Sequence, residues 1–282
     1  MFFRPRRSAL YLPASNEKAI AKARSLPCDV VILDLEDAVA PDAKSVARSQ
    51  AVAAVRDGGF GNRELIVRIN GLNTEWGEED IAALASVAPD AILIPKVSSG
   101  DDIRSYSNRL LQAPTPLWAM VETAKSLFHL DEIGATAAEG RLAGFVMGTN
   151  DLAKEMGAQP GTMRTPFLGA LGLAVAAARA HGLIILDGVF NELEDKEGFT
   201  AQTRQSVEFG FDGKTLIHPS QIDPCNQVFT PDAAAVAWAK RIIEAFDDPI
   251  NADKGAIRVD GRMVERLHLH QARRTLAASN LS

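Results

Sequence analysis

Short apolar, β-branched runs recur along the chain, and amphipathic stretches of helical period separate them. Eight such runs predict strands: Ser8 to Pro13, Val30 to Leu35, Leu65 to Ile69, Ala91 to Lys96, Leu117 to Val121, Leu142 to Met147, Leu183 to Asp187 and Lys214 to Ile217. Several intervening stretches carry helix start signals. Ser15 precedes NEKAIAKARS, Pro41-Asp42 precedes AKSVARSQAVAAV, and Ser99-Gly100-Asp101 precedes DIRSYSNRLL. Pro166 opens the alanine-rich FLGALGLAVAAARA, and His181-Gly182 closes it. Strands alternating with helices predict a parallel sheet, and eight repeats over roughly 220 residues predict a (β/α)8 TIM barrel rather than an open doubly wound sheet. No GxGxxG fingerprint or P-loop follows any strand.

Beyond Phe229 the pattern changes. TPDAAAVAWAKRIIEAF predicts a helix, GAIRVDGRMV a hairpin around Asp260-Gly261, and ERLHLHQARRTLAAS a final helix. The expected organisation is therefore a barrel over residues 1–229 and a C-terminal helical and hairpin extension, a lid, over 230–282.

Composition narrows the partners. The 282 residues are 46% hydrophobic, enough for a sizeable core, and the net charge of -6 is spread without a basic block, which argues against nucleic-acid or membrane-surface binding. Cys28 and Cys225 form no CxxC pair, which suits a reducing compartment and offers neither a disulfide framework nor a zinc site. The N-terminus has no signal-peptide core and no run of about 18 apolar residues exists, so the expectation is a cytoplasmic protein.

Polar residues cluster at the C-terminal strand ends, where barrel enzymes build their sites. These are Glu36-Asp37, Arg68 and Asn70, Lys96, Glu122-Thr123, Gly148-Thr149-Asn150-Asp151, Asp187-Gly188 and His218-Pro219. Converging carboxylates need a cation, and oxygen-only donors favour Mg²⁺. Glu122 and Asp151 each closely follow an apolar run on adjacent strands and are the expected ligands. Glu36 and Asp37 either hydrogen-bond metal-bound waters, or form salt bridges or cap the helix after Pro41. The planar fork of Arg68 suits a substrate carboxylate, the alternative being an ion pair with Glu36 or Asp37. Asp187 reads equally well as a site residue or as a partner of loop backbone. Met120, Met147 and Trp118 read as core, although alternating barrel positions could shape a pocket. His218 reads as a substrate contact or as a structural hydrogen-bonder, and His268 and His270, two apart on a helix, are poor joint ligands.

The segments RSALYLPASNEKAIAKA, DVVILDLEDAVAPDAK, VRINGLNT, ILIPKV, AMVETA, GFVMGTNDLA, LDGVF and GFDGKTLIHPSQI together resemble the citrate lyase beta-subunit-like family, with its malyl-CoA and citramalyl-CoA lyases and malyl-CoA thioesterases. The resemblance implies a magnesium-dependent barrel acting on a CoA thioester, commonly a homotrimer or hexamer. It matches Glu122 and Asp151 to the metal ligands and Arg68 to the substrate-binding arginine. It also implies that the region around Arg7 and Lys18 meets the CoA phosphates. Lys96, Gly148, Thr149 and Asn150 complete the expected substrate contacts. In stand-alone members the lid supplies a catalytic Asp from a motif like GxMID; here Gly261-Arg262-Met263-Val264-Glu265 stands in its place, with Glu265 as the acid.

Three activities are open on this basis. The leading expectation is a carbon-carbon lyase giving a 2-oxo acid and acetyl-CoA, with Arg68, Glu265, Glu36 and Asp37 as catalytic groups. The alternative is a (3S)-malyl-CoA thioesterase, which the longer Glu265 side chain makes credible. A subunit dependent on an acyl-carrier protein comes third, because the chain carries its own lid.

Overall fold

The computed structural model describes residues 4–111 and 113–279. Eight parallel strands close into a barrel, with the last paired to the first. They are β1 Ser8–Pro13, β2 Val30–Asp34, β3 Glu64–Arg68, β4 Ala91–Ile94, β5 Leu117–Val121, β6 Leu142–Met147, β7 Ile184–Asp187 and β8 Gly213–Leu216. Every predicted strand is present, with ends shifted by two residues or fewer.

The strands are buried on both faces, so they read as continuous apolar runs rather than as alternating ones. Alternate positions nevertheless do different work. Ala9, Val30, Ile32, Ile66, Ala91, Leu93, Trp118, Met120, Val146 and Leu186 form one cluster in the barrel interior. The same parity continues upward through Tyr11, Asp34, Arg68 and Glu122. At the lower end Arg6 pairs with Glu64, so the interior carries an ion pair below and a larger charged group above.

Local signals set the helix ends. Asn16, one residue after the predicted Ser15, caps helix Glu17–Ala23 by accepting from the Ala19 N–H. Ser99 and Asp102 form a reciprocal capping box on helix Gly100–Arg109. Helix Thr149–Met156 starts directly after β6 and Gly148, which puts Asp151 in its first turn.

Residues 6–226 form one compact unit, and residues 4–5 with 227–279 form another. The second unit has its own apolar core, built from Ala239, Ile242, Phe246, Ile257, Val259, Val264, Leu269 and Ala272. It contains helix Ala233–Asp247, the hairpin β9 Ala256–Val259 and β10 Arg262–Glu265, and helix Arg266–Ser279. The hairpin turns through Asp260 and Gly261, both at positive φ (50° and 77°), as its Asp-Gly pair requires. Among the described residues no helix is long and apolar enough to cross a membrane.

Candidate active site

A cavity of about 310 Å³ opens at the C-terminal end of the barrel, lined by Tyr11, Arg68, Met120, Glu122, Met147 and residues 148–151 among others. At its centre stands an alternating series of charges. Asp34, 1% exposed, takes the fork of Arg68: Nε donates to Oδ1 at 2.7 Å and Nη2 to Oδ2 at 2.6 Å. The remaining nitrogen of Arg68, Nη1, lies 2.9 Å from Glu36 Oε2 and 3.7 Å from Asp37. The other oxygen of Glu36 meets Lys96 Nζ, which also lies 3.4 Å from Asp151 Oδ2. The Arg68 guanidinium also sits 5.0 Å from the Tyr11 ring centroid.

Lys96 reaches this position through an unusual backbone. Its φ is +53°, in the left-handed region, and its N–H donates to Glu122 Oε1 at 2.8 Å. One residue thus touches Glu122 through its main chain and Glu36 and Asp151 through its ammonium. Lys44 lies buried behind, its Nζ donating to the Leu35 and Glu36 carbonyls and to Asn70 Oδ1.

Burial dominates the electrostatics. It pushes the Glu122 carboxyl up to about 7; neighbouring Glu36 adds to the rise, and the Lys96 N–H and the charges of Arg68 and Lys96 oppose it. Burial also raises Glu36 against the pull of Arg68. Burial works to lower the pKa of Arg68 and Lys96, but Asp34 and Glu36 outweigh it and both pKa values rise.

With every group ionised, the five carboxylates Asp34, Glu36, Asp37, Glu122 and Asp151 face the three cations Arg68, Lys96 and Lys44, leaving two negative charges. That residue of charge suits one divalent cation. Two observations say where it fits. Asp151 Oδ2 is buried and accepts no hydrogen bond among the described residues. A Cβ at Gly148 would come within 2.4 Å of Glu122 Oε2, so only glycine lets the carboxylate lie against this turn. Among the described residues no three His, Cys, Asp or Glu side chains form a ready-made cage.

The predicted site residues divide accordingly. Arg68, Glu36, Asp37, Lys96, Gly148, Thr149, Asn150, Glu122 and Asp151 come together at the mouth. Met120 and Met147 line the cavity, while Trp118 stays in the interior core. Arg7 is a correction: it precedes β1, at the barrel end opposite the mouth, and its guanidinium donates to Asp29 at 2.8 and 2.9 Å. Lys18 is exposed on helix Glu17–Ala23. Bidentate capture of a substrate by the Arg68 fork also needs correcting, since Asp34 already fills that fork. Asp187 points outward, where Arg164, Lys214 and Ser206 hold it in a buried network. His218 caps the turn at Pro219–Gln221. Glu265 ends β10 in the C-terminal unit, half-buried, its N–H donating to His268 Nδ1 at 2.9 Å.

Sequence reasoning passed over Asp34 and Tyr11. An acid inside an apolar strand run was the available signal, because a buried carboxylate needs a partner.

Comparison with known proteins places this geometry. Residues 7–219 match the family model described as HpcH/HpaI aldolase/citrate lyase. A (3S)-malyl-CoA thioesterase of Cereibacter sphaeroides is 48% identical over 273 residues, covering 97% of this chain and 94% of that protein. An L-malyl-CoA/beta-methylmalyl-CoA lyase of the same organism is 35% identical over 298 residues, covering 95% and 93%. The crystal structure of the protein CitE from Mycobacterium tuberculosis, in complex with magnesium, acetoacetate and coenzyme A, superposes with a TM-score of 0.77 at 30% identity, covering 97% of each chain.

Proposed function

Because the chain belongs to the HpcH/HpaI aldolase/citrate lyase family, we propose that it is an enzyme of CoA thioesters whose reaction is the hydrolysis of (3S)-malyl-CoA to malate and free CoA. The observation that carries this is the 48% identity to a (3S)-malyl-CoA thioesterase along nearly the whole chain, against 35% to the lyase. The order of preference given by the sequence alone is thereby reversed.

In the hydrolysis, a water oxygen bonds to the thioester carbonyl carbon, the carbon-sulfur bond breaks, and the sulfur leaves with a proton. Glu122 and Asp151 would hold Mg²⁺, which when bound polarises a coordinated oxygen as a Lewis acid. The chain's own groups then have separate tasks. Arg68 is a fixed positive charge in the cavity wall, suited to stabilising negative charge that develops on substrate oxygen. Lys96 holds Glu36 and keeps the acidic side of the mouth in register. Met120, Met147 and Val189 give the cavity an apolar side that limits water to the polar side. Glu265 takes the acid-base role on the strength of its sequence position, as the proton acceptor from the attacking water. A homotrimer or hexamer is proposed on the resemblance alone, and sedimentation tests it.

The test is product analysis with malyl-CoA and Mg²⁺. Malate and free thiol in equal amounts support hydrolysis; glyoxylate with acetyl-CoA instead refutes it and restores the lyase, which the second Cereibacter relative favours.

A further inference from the structure

The mouth contains a buried carboxylate to which the proposed reaction gives no task. Asp34 is the last residue of β2, and in the parallel ladder it is the register partner of Arg68, the last residue of β3. Both side chains have interior parity, so two adjacent strands deliver them side by side into the top layer of the barrel. Asp34 uses each of its oxygens twice. Oδ1 accepts from Arg68 Nε and from the Glu36 N–H at 2.9 Å; Oδ2 accepts from Arg68 Nη2 and from the Ala38 N–H at 3.0 Å. It is therefore fully satisfied and has no acceptor capacity left for a substrate proton.

We propose that Asp34 is the positioning residue of this site, locking Arg68 so that it presents one edge, Nη1, to the cavity, and locking the turn that carries Glu36 and Asp37. The inference rests on the mouth being the active site. A bidentate carboxylate-guanidinium pair fixes orientation as well as distance. The two backbone hydrogen bonds fix Glu36 relative to the same carboxylate, so the 2.9 Å separation between Arg68 Nη1 and Glu36 Oε2 follows from Asp34. Without it, the freed fork of Arg68 has Glu36 as its nearest carboxylate and would close on it, drawing Glu36 away from Lys96. The cation would then lie away from the position where charge develops, an error of about 1 Å or more that costs on the order of 100-fold in rate. Asp34 acts through Arg68 and Glu36 and does not touch the reacting atoms.

A double-mutant cycle tests this on the full chain with Mg²⁺ and malyl-CoA. Asp34→Asn should lower kcat about 100-fold and leave KM within about threefold, since binding contacts elsewhere are intact. In an Arg68→Ala background, Asp34→Asn should cost at most about tenfold further, because the guanidinium it positions is gone and only its hold on the turn carrying Glu36 remains to be lost. Losses that multiply would overturn the proposal. Folding is followed separately by thermal unfolding. Arg68→Ala leaves the Asp34 carboxylate buried without its counter-charge, so adding Asp34→Asn to it should raise the melting temperature. A readout independent of turnover is the Arg68 Nε–H resonance in ¹⁵N-arginine-labelled protein, slowly exchanging in wild type and lost in Asp34→Asn. An Nε–H signal unchanged by Asp34→Asn refutes the lock. Failure of wild type to act on malyl-CoA, with this signal present and sensitive to Asp34, refutes the proposed reaction alone.

Discussion

Metal binding at this mouth should be strongly coupled to pH. Glu122 titrates near 7 because it is buried and faces Glu36. Only its ionised form can hold a cation. With that pKa, its ionised fraction falls from roughly nine-tenths at pH 8 to roughly one-tenth at pH 6, so the dissociation constant for Mg²⁺ should rise about tenfold, or ~1.4 kcal/mol. A carboxyl at its ordinary 4.5 would leave it almost unchanged over that range. Calorimetric titration at pH 6, 7 and 8, in buffers of different ionisation heat, gives both the constant and the protons released, about 0.9 per ion at pH 6. The sign for the metal-free fold is opposite. The folded pKa of Glu122 lies above its unfolded value, so the stability it contributes is full below 4.5 and is lost as pH rises to about 7. That loss is on the order of 3 kcal/mol. Metal-free Glu122→Gln should therefore be more stable than wild type at pH 8. A constant affinity between pH 6 and 8, with no proton release at pH 6, would refute the raised pKa.

Three further outcomes follow from the geometry. Gly148→Ala places a Cβ 2.4 Å from Glu122 Oε2 and should weaken Mg²⁺ binding and lower kcat at least about 100-fold, measured by titration and by thiol release. Lys96→Met keeps the N–H bond to Glu122 but removes the ammonium beside Asp151; Mn²⁺ affinity, read by electron paramagnetic resonance, should tighten about tenfold as a competing charge is lost. Asp187→Asn leaves Arg164 and Lys214 buried without their counter-charge and should cost ~3–5 kcal/mol in denaturant unfolding. The activity of the remaining folded molecules should stay near wild type, since Asp187 faces away from the cavity.

The barrel was readable from sequence because its strands are covered on both sides, so each stands out as an uninterrupted apolar run. That Glu122 and Asp151 reach the mouth was readable for a related reason. Glu122 directly follows such a run, and Asp151 sits one helical turn beyond another, which leaves each little choice but to face the mouth. Partner choice was readable only in part: the pairing of Arg68 with Glu36 or Asp37 was one of the two alternatives, and both carboxylates lie beside Nη1, but the pairing with Asp34 depends on which residues the ladder sets abreast. Arg68 meets Asp34 rather than a substrate because β2 and β3 are in that register, a fact that no single segment encodes. Chain direction alone would have corrected Arg7, because a residue before a strand lies at the end away from the mouth. Parity would have decided between the two readings of Asp187: Leu186 is in the interior, so its neighbour points out, where it accepts from the Gly188 N–H. Arg164, at φ +51° in a glycine-containing loop, carried no signal.

The abreast placement of Asp34 and Arg68 also bears on how the barrel assembles. The interior of β2 and β3 is otherwise aliphatic above Glu64, with Val30 and Ile32 beside Ile66, and apolar contacts alone discriminate weakly between neighbouring alignments. A slip of β2 by one residue would turn Asp34 toward the surrounding helices and cost the enclosed Arg68 its bidentate counter-ion, an error worth several kcal/mol. The pair that shapes the mouth thus also penalises misaligned barrels, so substitutions there should slow refolding and promote aggregation as well as reduce turnover.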